Sequence, residues 1–142
     1  MMNGQAFIRQ SFLAILIGVS ACAPMNQGLL DSAQSQVQTR QIQSRAFDTS
    51  DVEKTLRAAI GTLQDLGFVV DKADLDIGTV TATKLDGYAL RMTVTVRARG
   101  KTQVIVRANA QYNLHPVTDP QPYQSFFVAL ERSMFLSAHA VD

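Results

Sequence analysis

Four acidic residues of this 142-residue chain could perform acid–base chemistry. Asp71, Asp74 and Asp76 lie close together in the sequence, and with Glu53 they could supply the paired carboxylates that general acid–base catalysis uses. Alternate acids in a turn between short strands are more often turn formers and solvated charges. A calcium loop would also need more oxygen ligands at set spacing and a closing glutamate. The pattern therefore favours a structural role for these acids.

The two histidines give no stronger indication of catalysis or of metal binding. His115 lies in a proline-containing loop and His139 in the C-terminal segment, and neither has a second ligand at a spacing typical of metal sites. The sequence also lacks a glycine-rich phosphate loop and a Gly-x-Ser-x-Gly nucleophile motif. We therefore expect a protein that is not an enzyme and that uses neither a cofactor nor a metal ion.

A cluster of cations is the clearest local asymmetry of the chain. Residues 88–112 contain Arg91, Arg97, Arg99, Lys101 and Arg107 and no acid, whereas the whole chain has a formal net charge of only +1. Such cations could simply keep a solvated sheet face soluble. They could instead bind an acidic protein surface or an anionic polymer, because arginine pairs bidentately with carboxylate and phosphate. The nearly neutral chain as a whole argues against a nucleic-acid partner.

Two regularly alternating segments must position these cations. Tyr88–Arg99 and Thr102–Asn113 place apolar residues at even numbers, which is typical of half-buried antiparallel strands. Residues paired across two antiparallel strands share a face, so the two residue numbers of each pair must add to an even sum. Both hairpins therefore need three-residue turns. We expect Gly87 to adopt the left-handed conformation in the first turn. The predicted partner-binding residues on the solvent face are Arg91, Arg97, Arg107, Thr93 and Thr95.

The remaining elements complete an α+β fold. Further strands are predicted at Gln38–Phe47, Phe68–Val70 and Ile77–Lys84. A capping box at Ser50 and Glu53 begins a helix that Gly67 ends, and Asp119 with Pro120 begins a second helix. The apolar stripe of this second helix consists of Tyr123, Phe126, Phe127, Leu130 and Met134. The order strand–helix–four strands–helix predicts a single antiparallel sheet with both helices packed on one face and the other face open.

The N-terminus carries the features of a secretory signal. Arg9 precedes an apolar run over residues 11–19, which is too short to span a bilayer stably. The run ends in Val19-Ser20-Ala21-Cys22, and Cys22 is the only cysteine of the chain. This segment resembles the lipobox of bacterial lipoproteins. An ordinary signal peptide with a stray cysteine, or an uncleaved anchor, are the alternatives.

The lipobox resemblance implies a membrane anchor and an address. It implies that residues 1–21 are removed as a signal peptide and that Cys22 is acylated on its sulfur and on its new amino group. Several acyl chains make a lasting anchor where a single chain binds only marginally. Ala23 follows the cysteine, where an aspartate is the usual sign of inner-membrane retention. The resemblance therefore implies the periplasmic face of the outer membrane.

The segment after the cysteine is rich in Gln, Ser and Asn and shows no sustained period. We expect residues 22–37 to form the acylated cysteine and a flexible tether, because such a composition buries too little apolar surface to offset its ordering entropy. Leu29, Leu30 and Val37 could instead dock on a partner. The chain thus divides into a signal peptide over 1–21, the anchored tether over 22–37 and a periplasmic α+β domain over 38–142.

The element order and three segments are similar to those of small proteobacterial outer-membrane lipoproteins with a BamC-like helix-grip domain. The segments are Arg45-Ala46-Phe47, Leu63-Gln64-Asp65-Leu66-Gly67-Phe68 and Gly78-Thr79-Val80-Thr81-Ala82-Thr83-Lys84. The resemblance implies a non-enzymatic binding or scaffolding role with a periplasmic or outer-membrane protein partner. A second expectation is a carrier that holds a small apolar ligand between the sheet and the C-terminal helix.

Overall fold

Within residues 27–139, six antiparallel strands form one sheet and three helices accompany it. The structure, a computed structural model, describes the backbone of these residues and the side chains of residues 35–135. The elements are α1 (Gln27–Ile42), β1 (Ser44–Phe47), α2 (Val52–Asp65), β2 (Val69–Asp74), β3 (Thr79–Asp86), β4 (Tyr88–Arg99), β5 (Gln103–Tyr112), β6 (His115–Pro116) and α3 (Gln121–His139). The strand order is β1–β5–β4–β3–β2, and β6 also pairs with β5. The α+β fold expected from the sequence is confirmed.

The register of the central strands follows the even-sum rule. Val94 of β4 pairs with Val80 of β3 on one side and with Ala108 of β5 on the other, and all three are fully buried. Gly87 and Gly100, in the two hairpin turns, have φ values of 76° and 65°, which L-residues with a Cβ rarely adopt. The predicted alternation therefore assigns each side chain of these strands to the correct face.

Helices α2 and α3 both pack on the even-numbered face of the sheet. The buried core residues of the two helices are Leu56, Ala59, Leu63, Tyr123, Phe126, Phe127 and Leu130. The cap of α2 is Asp51, whose carboxylate accepts a hydrogen bond from the backbone nitrogen of Lys54 at 2.8 Å, so the predicted cap at Ser50 is wrong by one residue. At the other end, Phe68 and Gly67 donate to the carbonyls of Leu63 and Gln64, which is a Schellman motif.

Helix α1 contradicts the secondary structure predicted before the sheet. A coil was expected up to Val37 and a strand from Gln38, whereas Gln27–Ile42 is helical. Beyond Gly28 this segment contains no glycine or proline, and its leucine, alanine, glutamine and arginine residues favour helix. Because its polar residues are spread around the whole helix, it shows no apolar stripe in the sequence. The first strand therefore shortens to Ser44–Phe47.

The edges of the sheet also differ in detail from the expected strands. Strand β2 continues to Asp74 through a register shift between Val70 and Lys72, which is a bulge that interrupts its alternation. Strand β6 was not predicted. Within residues 27–139 no helix is both long and apolar enough to cross a membrane. The predicted signal peptide and Cys22 lie outside the described residues.

Candidate docking face

The sheet face opposite the helices carries the odd-numbered residues of β4 and β5. Three cross-strand pairs follow one another along the ladder: Arg91 with Gln111, Thr93 with Asn109, and Thr95 with Arg107. These six side chains line a shallow groove of about 240 Å³. The structure thus brings together four of the five residues predicted to bind a partner.

The groove is cationic and contains no compensating acid. Its lining consists of two arginines and four neutral side chains that can donate or accept hydrogen bonds. Arg107 makes a long hydrogen bond from Nε to the hydroxyl of Ser44, at 3.4 Å, and Arg91 has no acidic partner among the described residues. Both arginines are exposed. Most of their donors therefore remain available to an anion.

The floor of the groove is held by side-chain hydrogen bonds across the strands. The hydroxyls of Thr81 and Thr93 lie 3.1 Å apart, which links β3 to β4. The side-chain amide of Gln43 donates to Oδ1 of Asn109 at 3.3 Å. Strand β4 lies between β3 and β5, and β5 is flanked on its other side by β1 up to Arg107 and by β6 from Gln111. The two arginines are therefore mounted on a rigid platform.

Arg97 does not join the groove. Its Nη1 donates to the backbone carbonyl of Ile77 and, at 3.1 Å, to that of Val96. The even-sum register places residue 77 opposite Arg97, but β3 begins only at Thr79, so the carbonyl of Ile77 has no ladder partner there. The guanidinium bonds to this carbonyl and lies beside Gly78, away from Arg91 and Arg107. Arg97 thus shares the odd-numbered face with Arg91 and Arg107 by register, but its guanidinium does not line the groove.

Three of the four acids considered for catalysis, Asp71, Asp74 and Glu53, make local structural contacts. Oδ1 of Asp74 accepts from the backbone nitrogen of Ile77 at 2.9 Å, which closes the β2–β3 turn. Oδ2 of Asp71 accepts from the hydroxyl of Thr83 at 2.6 Å, and Glu53 pairs with Arg57 one helical turn away. Among the described residues, no three His, Cys, Asp or Glu side chains lie close enough together to hold a metal ion.

A separate cleft lies at one end of the space between the sheet and α3. Between these layers the core is filled, since Tyr123, Phe126 and Leu130 are completely buried. Beyond this filled region a half-open cleft of about 350 Å³ remains. Its mainly apolar lining includes Phe68, Tyr88, Leu90, Tyr112, Pro122 and Ser125.

Asn109 and Gln111 are the two groove residues that were not among the predicted partner-binding residues. Their odd numbers in β5 place them on the open face by the same parity that identified Arg107, so the signal was present. Comparisons with known proteins add no further residues, because no protein-family model and no curated protein matches this chain. The geometry of the groove and the sequence of the N-terminus are the features that indicate a function.

Proposed function

We propose that this protein is a periplasmic lipoprotein, anchored in the outer membrane through Cys22, that acts as a non-enzymatic binding component of an envelope complex. Secretion, efflux and assembly machines are the kinds of complex we consider. The anchor is supported by the single cysteine at the lipobox position. The binding role is supported above all by one observation: Arg91 and Arg107 line a common groove that contains no carboxylate.

The partner of this groove is an acidic protein surface. Arginine recognises carboxylates through two parallel hydrogen bonds, and the neutral Thr93, Asn109 and Gln111 can satisfy polar groups beside them. Arg91 and Arg107 are separated by four residues along the strand direction, or roughly 13 Å at about 3.3 Å per residue. Two carboxylates at a similar spacing on a partner would complement the groove. Such pairing contributes to orientation and association rate more than to affinity alone.

A defined acidic probe tests this recognition directly. We would measure binding of a fluorescent polyglutamate peptide to the wild-type protein, to R91E/R107E and to R99E/K101E. The two double variants change the net charge equally, but Arg99 and Lys101 lie outside the groove. The proposal predicts at least roughly tenfold weaker binding for R91E/R107E and a much smaller loss for R99E/K101E. Equal losses in both variants would mean that only net charge matters.

The carrier of a small apolar ligand remains a second candidate because of the cleft between the sheet and α3. Its volume of about 350 Å³ falls at the lower end of the range of ligand pockets. An uncharged fluorescent probe such as N-phenyl-1-naphthylamine would report occupancy. Ser125→Phe would fill the cleft, whereas Gln124→Phe places the same ring on the neighbouring position of α3, outside the lining. A carrier would lose saturable probe binding only in Ser125→Phe.

A further inference from the structure

One end of the sheet exposes four large apolar or aromatic side chains. Leu85 and Leu114 are 82% and 86% exposed, and Tyr88 and Tyr112 are 68% and 39% exposed. Leu85, Tyr88 and Tyr112 lie at the ends of β3, β4 and β5, and Leu114 lies in the turn between β5 and β6. The rings of Tyr88 and Tyr112 meet edge to face at 5.8 Å, and the backbone nitrogen of Asn113 donates to the carbonyl of Ala89. The four side chains therefore lie at the same end of the sheet, with Leu85 on its odd-numbered face and Tyr88 and Tyr112 on its even-numbered face, and we call this end the apolar end.

The composition of the apolar end is unusual for the exposed strand ends and turns of a small domain. Turn positions normally carry residues chosen for backbone conformation or hydration, and Gly87 and Asn113 serve that purpose here with φ values of 76° and 53°. Neither leucine packs against the core. Contiguous exposed apolar surface of this kind marks contact with a protein or with a membrane. Tyrosine beside aliphatic side chains is typical of the membrane–water interface, where the ring is apolar and the hydroxyl stays hydrated.

The chain enters the sheet at β1 from the side of the apolar end. The carbonyl of Gln43, just before β1, accepts from the backbone nitrogen of Ala108. From there β1 runs antiparallel to β5, with Ser44 opposite Arg107 and Phe47 opposite Val104. Strand β1 therefore runs away from the apolar end, and the N-terminal chain joins it from that side.

The linker limits how far the domain can lie from the bilayer. The five residues 22–26 precede α1, and a chain of this length reaches at most about 18 Å when fully extended. Helix α1 has 16 residues and is about 24 Å long. Strand β4, with 12 residues, spans about 40 Å, so linker and domain have similar dimensions. Such a tether maintains a high effective concentration of the domain at the surface, and weak apolar contacts suffice to orient it.

We propose that the apolar end, formed by Leu85, Tyr88, Tyr112 and Leu114, contacts the lipid bilayer in which the protein is anchored. This inference rests on the acylation of Cys22 in the proposed function. The leucines enter the boundary between headgroups and acyl chains, while Asp86 and the tyrosine hydroxyls remain at the hydrated level. The sheet then stands with β4 and β5 steeply inclined to the membrane, which leaves the groove of Arg91 and Arg107 open to the periplasm.

The absence of tryptophan from the sequence gives the test a clean reporter. Leu114→Trp places a single tryptophan at the apolar end. Leu75→Trp places one in the β2–β3 turn at the opposite end of the sheet, where Leu75 is 45% exposed. Both variants would be purified in acylated form and incorporated into phosphatidylethanolamine/phosphatidylcholine vesicles. Flotation would measure anchoring, and quenching by lipids brominated on their acyl chains would measure contact with the bilayer.

We expect both variants to float with the vesicles. Brominated lipids should quench the fluorescence of Leu114→Trp strongly and the fluorescence of Leu75→Trp only weakly. Adding Leu85→Ser to Leu114→Trp should reduce the quenching without affecting flotation. Equal quenching in both variants, or none in Leu114→Trp protein that floats, would overturn the membrane contact while leaving the anchor intact. A blue-shifted but unquenched emission from Leu114→Trp would indicate a protein cover and would also overturn it. Protein that does not float would contradict the anchor itself, and the inference with it.

Discussion

The hydroxyl of Tyr123 on α3 accepts a hydrogen bond from the backbone nitrogen of Ala110 on β5, at 3.2 Å. This contact fills a gap in the sheet, because β1 pairs with β5 only up to Arg107 and β6 pairs with it only from Gln111. The same hydroxyl donates to the carbonyl of Val117 at 2.8 Å. A helix side chain therefore takes the place of a strand at this edge, below the groove on the other face.

Replacing Tyr123 with Phe tests this arrangement. The substitution keeps the ring but leaves the nitrogen of Ala110 and the carbonyl of Val117 without this partner in a buried position, so we expect a loss of about 1–3 kcal/mol in the free energy of unfolding. Urea denaturation would measure it. Tyr112→Phe, at an exposed tyrosine, is the control and should change stability by less than about 0.5 kcal/mol. Similar values for both variants would show that the hydroxyl of Tyr123 is dispensable.

The filled core between the sheet and α3 makes a second prediction. Phe127 is 2% exposed, packs edge to face against Phe126 at 5.2 Å, and has the guanidinium of Arg45 over its ring at 5.1 Å. Phe127→Ala should destabilise the domain by roughly 3–5 kcal/mol, the usual cost of emptying a buried aromatic site. Val128→Ala, on the exposed side of the same helix, should cost less than about 1 kcal/mol. A loss of less than about 1 kcal/mol for Phe127→Ala would mean that Phe127 does not lie on the buried face of α3.

Two buried threonines of α2 should respond oppositely to the same substitution. Oγ1 of Thr62 is buried and has no hydrogen-bond partner among the described residues, whereas Oγ1 of Thr55 donates to the carbonyl of Asp51 at 2.7 Å. Thr62→Val removes an unsatisfied hydroxyl and should stabilise the protein by about 1 kcal/mol, while Thr55→Val should destabilise it by a similar amount. Thermal and urea melts would compare the pair. Destabilisation by Thr62→Val would indicate that its hydroxyl has a partner.

The fold could be predicted in those segments whose apolar residues follow one regular period. In β4 and β5 every core-facing residue has an even number, so a single parity rule was enough to place the groove residues. Helix α1 could not be predicted in this way, because its sequence contains no continuous apolar stripe. The bulge between Val70 and Lys72 likewise hides the length of β2. In both segments the apolar residues show neither the alternation of a strand nor the stripe of an amphipathic helix.

The sequence predicted on which face of the sheet each site residue lies, but not which atoms its side chain contacts. Parity places Arg91, Arg97 and Arg107 on the same side of the sheet. The position of Arg97 depends instead on the start of β3 at Thr79, which leaves the carbonyl of Ile77 available to its guanidinium. A strand boundary that shifts by two residues does not change the alternation, so the sequence pattern contains no information about this contact.

The anchor makes a prediction outside the domain. Cys22→Ser should abolish acylation and leave either uncleaved precursor or a soluble periplasmic form, because the hydroxyl cannot replace the acylated thiol in the lipobox. Membrane fractionation combined with radiolabelled palmitate would detect the change. A Cys22→Ser protein that stays labelled and in the outer membrane would exclude acylation at this residue. A wild-type protein without label would exclude the lipoprotein assignment itself.

Recovery of a partner from envelope membranes, with the acylated protein as bait, tests the docking face most directly. Wild type, R91E/R107E and R99E/K101E would be compared in parallel, together with their melting temperatures. Arg91 and Arg107 are exposed, so we expect both double variants to remain folded, with stability changes within about 0.5 kcal/mol per substitution. The docking proposal predicts that the same protein is recovered with wild type and R99E/K101E, in a salt-dependent manner, and is lost with R91E/R107E. Unchanged recovery with a folded R91E/R107E protein would contradict it.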